Sequence, residues 1–285
     1  MRLATLRTGA NGRTTTAARI EGDRAILLDE FEDVAAVFAA QAKDGGVMER
    51  VASAGGEIRD LSTARFAPVV TAPGKIFCIG MNYRAHIKEM GRTGYAHPAL
   101  FAKCKEALIG AGESILLPPE SESVDWEGEL VVIVGKRLRR ADLVDALDGI
   151  GGYTLMCDTS MRDWQYRTSQ WLQGKTWEHS TPLGPWLATP DELAADAELV
   201  TRVDGEEMQR GRVSDLVISP HALVSYISTF VTLEPGDVIA TGTPGGVGHA
   251  RTPPIYLKHG QNVEISVSGI GSLRANVEHE GASTP

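Results

Sequence analysis

Residues 124–134 read VDWEGELVVIV, Val124 to Val134. The five residues 130–134 are aliphatic and mostly β-branched, the composition of an interior strand. Glu127 and Glu129 stand immediately before that run, one glycine apart. Strand side chains alternate between faces, so residues two apart point the same way. Two carboxylates side by side against an apolar strand are costly unless they share a proton or hold a cation. Hard divalent ions prefer such oxygens. A bare Glu-X-Glu is more simply a solvated surface pair; the apolar run that follows argues for an interior position.

Working outward, strand-like runs dominate. They lie at 75–79, 114–117, 153–157, 199–203, 238–241, 262–268 and 273–278. Helical stretches are fewer. The clearest is 220–231, with Ser219 as N-cap, Pro220 at the first helical position, and Leu223, Ile227 and Phe230 at helical spacing. Residues 1–72 read as a small N-terminal α+β unit, with short strands at 2–6, 17–20 and 25–28 and helices at 33–42 and 48–54. The Pro- and Gly-containing stretch 66–74 reads as a connector to a larger unit, 73–285. Strands of uneven length with few helices between them argue against a doubly wound parallel sheet. The expected fold class is α+β, mostly β, with a mixed-sheet core.

The composition is that of an ordinary globular protein of 285 residues, 42% hydrophobic and 23% charged. The formal net charge of −9 is dispersed along the chain. Phosphate contacts need clustered Lys and Arg, so no nucleic-acid partner is expected. No apolar run approaches the roughly 18 residues a membrane helix needs, so no membrane partner is expected. Cys78, Cys104 and Cys157 form no CxxC pair and read as buried, reduced thiols. The basic, Thr-rich start lacks the apolar core of a secretory signal. It reads as a first strand, with a transit peptide as the alternative, and a cytoplasmic location is expected.

Three further features carry chemistry. Asp158 closes the strand-like 152–158 and is either a third carboxylate for Glu127 and Glu129 or the N-cap of a helix at 159–165. With it, the three acids make a facial oxygen set that leaves coordination positions open. His86 and Glu89, three apart in a helical 82–90, share a face, where a glutamate can orient an imidazole as a base toward water. The Gly-rich 242–248 follows a short strand and offers backbone N–H groups and Thr243 for a carboxylate. It is not a P-loop. His97, His179, His249 and His259 show no comparable spacing.

Together these stretches resemble the fumarylacetoacetate hydrolase family. The resemblance rests on Lys75-Ile-Phe-Cys-Ile-Gly-Met-Asn-Tyr83 with His86 and Glu89; on Asp125-Trp-Glu-Gly-Glu-Leu130; on Asp158 with Arg162-Asp-Trp-Gln165; on Gly174-Lys175 with Pro182-Leu-Gly-Pro185; and on Leu233 to Gly245, in that order along the chain. It implies a mixed β-roll for 73–285 and a variable N-terminal unit. It implies Mg²⁺ or Mn²⁺, with Ca²⁺ as an alternative, on Glu127, Glu129 and Asp158. It implies a water-activating dyad of His86 and Glu89, a catalytic Lys175, substrate contacts from Tyr83, Arg162, Gln165 and Thr243, and a homodimer. The sequence departs from the family after Lys175, where Thr176-Trp-Glu-His179 replaces the common Ser-Phe-Asp; that bears on the substrate side chain more than on the metal.

The implied substrate is a small anionic oxo acid. The expected reaction is hydrolytic C–C cleavage of a 2,4-dioxo acid such as an acylpyruvate, with a pyruvate enolate as leaving group. Oxaloacetate decarboxylation, or isomerisation or decarboxylation of a 2-hydroxydienoate from aromatic catabolism, needs the same metal site but no hydrolytic water. A non-catalytic binding protein that keeps the fold is the reading of another class.

Overall fold

The computed structural model describes every residue except 10–11, 92–95, 195 and 282–285. Two sheets dominate it. The larger runs, edge to edge, through Ile58–Asp60, Arg24–Leu28, Thr14–Glu21, Arg2–Thr8, Thr181–Ala188, Ile150–Cys157, Gly128–Val134, Val238–Ala240, Ile76–Gly80 and Ala99–Ala102, with Leu108–Ile109 paired beside Thr181–Ala188. The smaller is formed by Glu206–Arg212, Glu198–Val203, Asn262–Val267, Gly271–His279 and Ser114–Leu117. Both contain parallel and antiparallel neighbours, so the core is mixed and mostly β, as expected.

The run 130–134 is interior on both faces. Leu130, Val132 and Val134 pack with Leu199, Val263 and Ile265 of the smaller sheet, while Val131 and Ile133 pack with Val34, Val37 and Phe38 under the N-terminal helices. Each such side chain contributes roughly 1.5–3 kcal/mol by transfer out of water, an upper bound against a compact unfolded chain. Gly128 is required by this layering: a Cβ there would lie 2.1 Å from Thr201 Oγ1. The glycine between the two glutamates therefore admits the second sheet on the opposite face.

The N-terminal strands are continuous with the larger sheet, because Arg2 and Leu3 pair with Ala188 and Leu187. The helix Val34–Gln41 is capped by Asp33, whose carboxylate accepts from Ala36 N. Three local expectations differ. Ser219 occupies the N-cap of Pro220–Phe230 but makes no capping bond, and its hydroxyl faces His221 instead. Phe230 is 54% exposed, turned away from the core that holds Leu223 and Ile227. Cys104 is exposed, whereas Cys78 and Cys157 are buried.

Candidate active site

The ladder between Gly128–Val134 and Ile150–Cys157 sets the site. Gly128 lies opposite Cys157, and the pairing runs one bond further, from Asp158 N to Glu127 O at 2.8 Å. This register brings Asp158 beside the Glu-Gly-Glu pair, and oxygens of Glu127, Glu129 and Asp158 all lie within 4.8 Å of one another. Asp158 is not a helix N-cap: the short helix Arg162–Gln165 begins after a two-residue strand and has Met161 at its cap position.

All three carboxylates are buried, so their charge must be met inside the protein. Lys175 Nζ donates to Glu127 Oε2 and to Asp158 Oδ2, each at 2.7 Å. Lys103 Nζ donates to the other Asp158 oxygen, Oδ1, at 2.7 Å. Arg162 spans Asp125 and Glu127, at 2.8 and 2.7 Å, and donates to Gln165 Oε1 at 2.9 Å. Burial pushes the Glu127 carboxyl up, but Lys175 and Arg162 outweigh it and hold the group well below the usual carboxylate range. Burial alone would lower Lys175, yet Asp158 and Glu127 hold it above the usual lysine value.

Glu129 is the exception. It accepts from Gly242 N at 2.8 Å, and among the described residues no cation pairs with it. Burial, reinforced by Asp158 and Glu127, pushes its carboxyl well above the ordinary value. Four buried carboxylates, Asp125 among them, thus face three cations, Lys103, Arg162 and Lys175. An all-oxygen donor set with one uncompensated carboxylate fits a hard divalent ion.

His86 sits on the helix Arg84–Glu89 and is 7% exposed. Its Nδ1 is 3.1 Å from Glu89 Oε2, while Glu89 Oε1 accepts from Gly246 N at 2.8 Å and ties the helix to the Gly-rich loop. One cavity is lined by His86, Glu127, Glu129, Arg162, Gln165, Lys175 and Thr243. Asp158 and Glu89 stand behind that surface. Tyr83 is not brought to it: the ring is buried against Gly211, and its hydroxyl has no hydrogen-bond partner among the described residues. Thr243 donates to Gly128 O and accepts from Gln209 Nε2, so its hydroxyl also braces the glutamate strand. The loop N–H groups of Gly242, Gly246 and Gly248 bind the protein's own Glu129, Glu89 and Asp125.

Sequence reasoning missed Lys103, Asp125 as a separate anchor, and Phe101 and Trp171, two aromatic residues that also line this cavity. The signal for Lys103 is a lysine directly at the end of the apolar run Ala99–Ala102, with Lys105 two residues on. Asp125 binds Arg162 and the N–H groups of Trp126, Gly248 and His249, and is fully buried.

A profile of the fumarylacetoacetate (FAA) hydrolase C-terminal domain matches residues 75–278. The chain belongs to the fumarylacetoacetate hydrolase family. Among its relatives is the mitochondrial oxaloacetate tautomerase FAHD2A of Bos taurus, 42% identical over 74% of this chain and 69% of that protein. The Homo sapiens protein of that name is 41% identical over the same shares. A 5-carboxymethyl-2-hydroxymuconate delta-isomerase from Mycobacterium smegmatis superposes with a TM-score of 0.79 at 34% identity, covering 99% of this chain and 100% of that one. A fumarylacetoacetate hydrolase from Exiguobacterium antarcticum superposes with a TM-score of 0.82 at 29% identity, covering 98% and 100%. These relatives of the family carry the names of enzymes, of tautomerase, isomerase and hydrolase kinds. Among the described residues no helix is long and apolar enough to cross a membrane.

Proposed function

We propose that the chain is a divalent-metal-dependent enzyme of small anionic 2-oxo acids, and that its reaction is keto–enol interconversion of an oxaloacetate-type substrate. The observation that carries this reading is that His86, held through Nδ1 by Glu89, lines the same cavity as Glu127 and Glu129. A divalent ion held by Glu127, Glu129 and Asp158, Mg²⁺ or Mn²⁺ by donor type, would supply Lewis-acid polarisation of the 2-oxo group. His86 takes a proton from the carbon beside that group and returns one to the oxygen, so no atom is gained or lost. Glu89 fixes the imidazole tautomer, leaving Nε2 as the base. Arg162 and Lys175 offset the negative charge that develops. The names of the relatives near 40% identity support this substrate class.

The test is UV decay of the oxaloacetate enol with purified protein and Mg²⁺ or Mn²⁺. A metal-dependent acceleration lost in His86→Ala is expected. No acceleration over the metal alone sinks the reading.

The second reading is hydrolytic C–C cleavage of a 2,4-dioxo acid such as an acylpyruvate or fumarylpyruvate. The His86–Glu89 pair favours it, since the same base can deprotonate a water. Release of pyruvate from acylpyruvates, absent with oxaloacetate, would select it. The presence of all three acids argues against a non-catalytic protein. A cytoplasmic homodimer remains part of the proposal. The exposed Phe230 and the edge strand Ala99–Ala102 support self-association, and sedimentation at the monomer mass would refute it.

A further inference from the structure

The apolar end of the cavity is built by residues that the reaction above does not use. Phe101 lies under the lysine, with Lys175 Nζ 5.0 Å from its ring centroid. Trp171 meets Phe101 edge-on, centroids 5.5 Å apart and planes at 69°. Beyond the indole is the backbone of Gly80, so close that a Cβ there would lie 2.5 Å from Trp171 Cζ3. The indole is thus wedged between a ring and a strand, and residue 80 is glycine because the approach leaves no room for a side chain.

Trp171 is also tied to the lysine. It caps the short helix Leu172–Lys175, and its carbonyl accepts from Gly174 N at 2.9 Å. Gly174 itself is pressed on Gln165, where a Cβ would lie 2.5 Å from the Cα. The wall therefore stands at a set distance from the ammonium. The cavity it lines is small, about 40 Å³.

From this geometry we infer that Trp171 is the specificity-determining residue that limits the substrate's distal group to about the size of a carboxylate or a methyl. The inference rests on the reading of the site as one for 2-oxo acids. On this inference a substrate anchored at the acid triad presents its far end to the indole, which lines the same cavity as Glu127 and Glu129, and longer acyl or dienoate tails are excluded by overpacking.

The test is calorimetric binding to the Mn²⁺-loaded protein of unreactive planar analogues: oxalate, N-methyloxamate and N-hexyloxamate. The parent protein is expected to bind oxalate and N-methyloxamate, and N-hexyloxamate at least about tenfold more weakly. Trp171→Ala is expected to bring the two oxamates within about threefold of each other while oxalate affinity stays unchanged. Should the alanine variant fail to fold, Trp171→Phe, which keeps a ring on Phe101, is expected to lie between. Equal binding of both oxamates by the parent, or unchanged discrimination in the folded variants, overturns the role of Trp171 and leaves the 2-oxo acid reading standing. Absence of metal-dependent oxalate binding overturns both.

Discussion

Lys103 Nζ lies 2.7 Å from Asp158 Oδ1, and neither side chain is exposed to solvent. The two are 55 positions apart, so the pair exists only in the folded chain. Lys175 takes the other Asp158 oxygen, leaving this carboxylate fully paired. Removing one partner of a buried ion pair leaves an uncompensated charge and costs about 3–5 kcal/mol. With Lys175 still in place, Lys103→Met is expected to lose about 3 kcal/mol in urea unfolding of the metal-free protein, a cost that Mn²⁺ partly restores. A loss under about 1 kcal/mol would mean that Lys175 alone compensates Asp158.

Glu129→Gln tests the opposite imbalance. Glu129 is buried with a backbone N–H as partner and, among the described residues, no paired cation. An isosteric amide keeps an acceptor for Gly242 N and is neutral without the proton uptake that burial favours in the metal-free carboxyl. The metal-free variant is expected to be more stable than the parent by about 1 kcal/mol. Its Mn²⁺ binding by isothermal titration is expected to vanish. Binding like that of the parent would remove Glu129 from the metal set.

His86→Ala is expected to lower turnover by about 10²- to 10⁴-fold, the usual worth of a positioned base. Mn²⁺ affinity should hold, because His86 is outside the carboxylate set. Turnover within about twofold of the parent would assign the proton transfer to another group.

The thiols give a pH-dependent readout. Burial raises Cys78 well above the ordinary thiol value and pushes Cys157 up to about 11. Both stay protonated, hence unreactive, at pH 8. A disulfide-exchange reagent is expected to titrate one thiol in the native protein, Cys104, and all three after unfolding. The linkage runs the same way. The folded state holds these protons more tightly, so stability falls as pH climbs from the unfolded thiol value of about 8.5 toward 11. Cys157→Ala should flatten that slope in denaturation measured from pH 8 to 10.

Much of the fold and the site is legible in local pattern. The run 130–134 announces its double burial, the helix at Pro220 starts at its proline, and Glu127, Glu129 and Asp158 stand out as acids beside apolar strands. His86 and Glu89 are legible because a helix brings residues three apart together. The strand Thr181–Ala188 is not. It carries Pro182 and Pro185, which argue against an interior strand, yet it joins the N-terminal strands to the rest of the sheet.

What the sequence determined by itself is which residues can bear charge, bury apolar surface or end a helix, because those properties belong to the side chain and its near neighbours. What only the tertiary structure decided is which charges meet. The Gly128–Cys157 register set the acid triad. Partners far off in the chain made Lys103 a structural cation and Asp125 an anchor for Arg162. Packing on Gly80 made Trp171 a wall. The physical reason is that buried charge and close packing are tolerated only where a distant segment supplies the compensating group or the empty space, and spacing along the chain does not encode that distance.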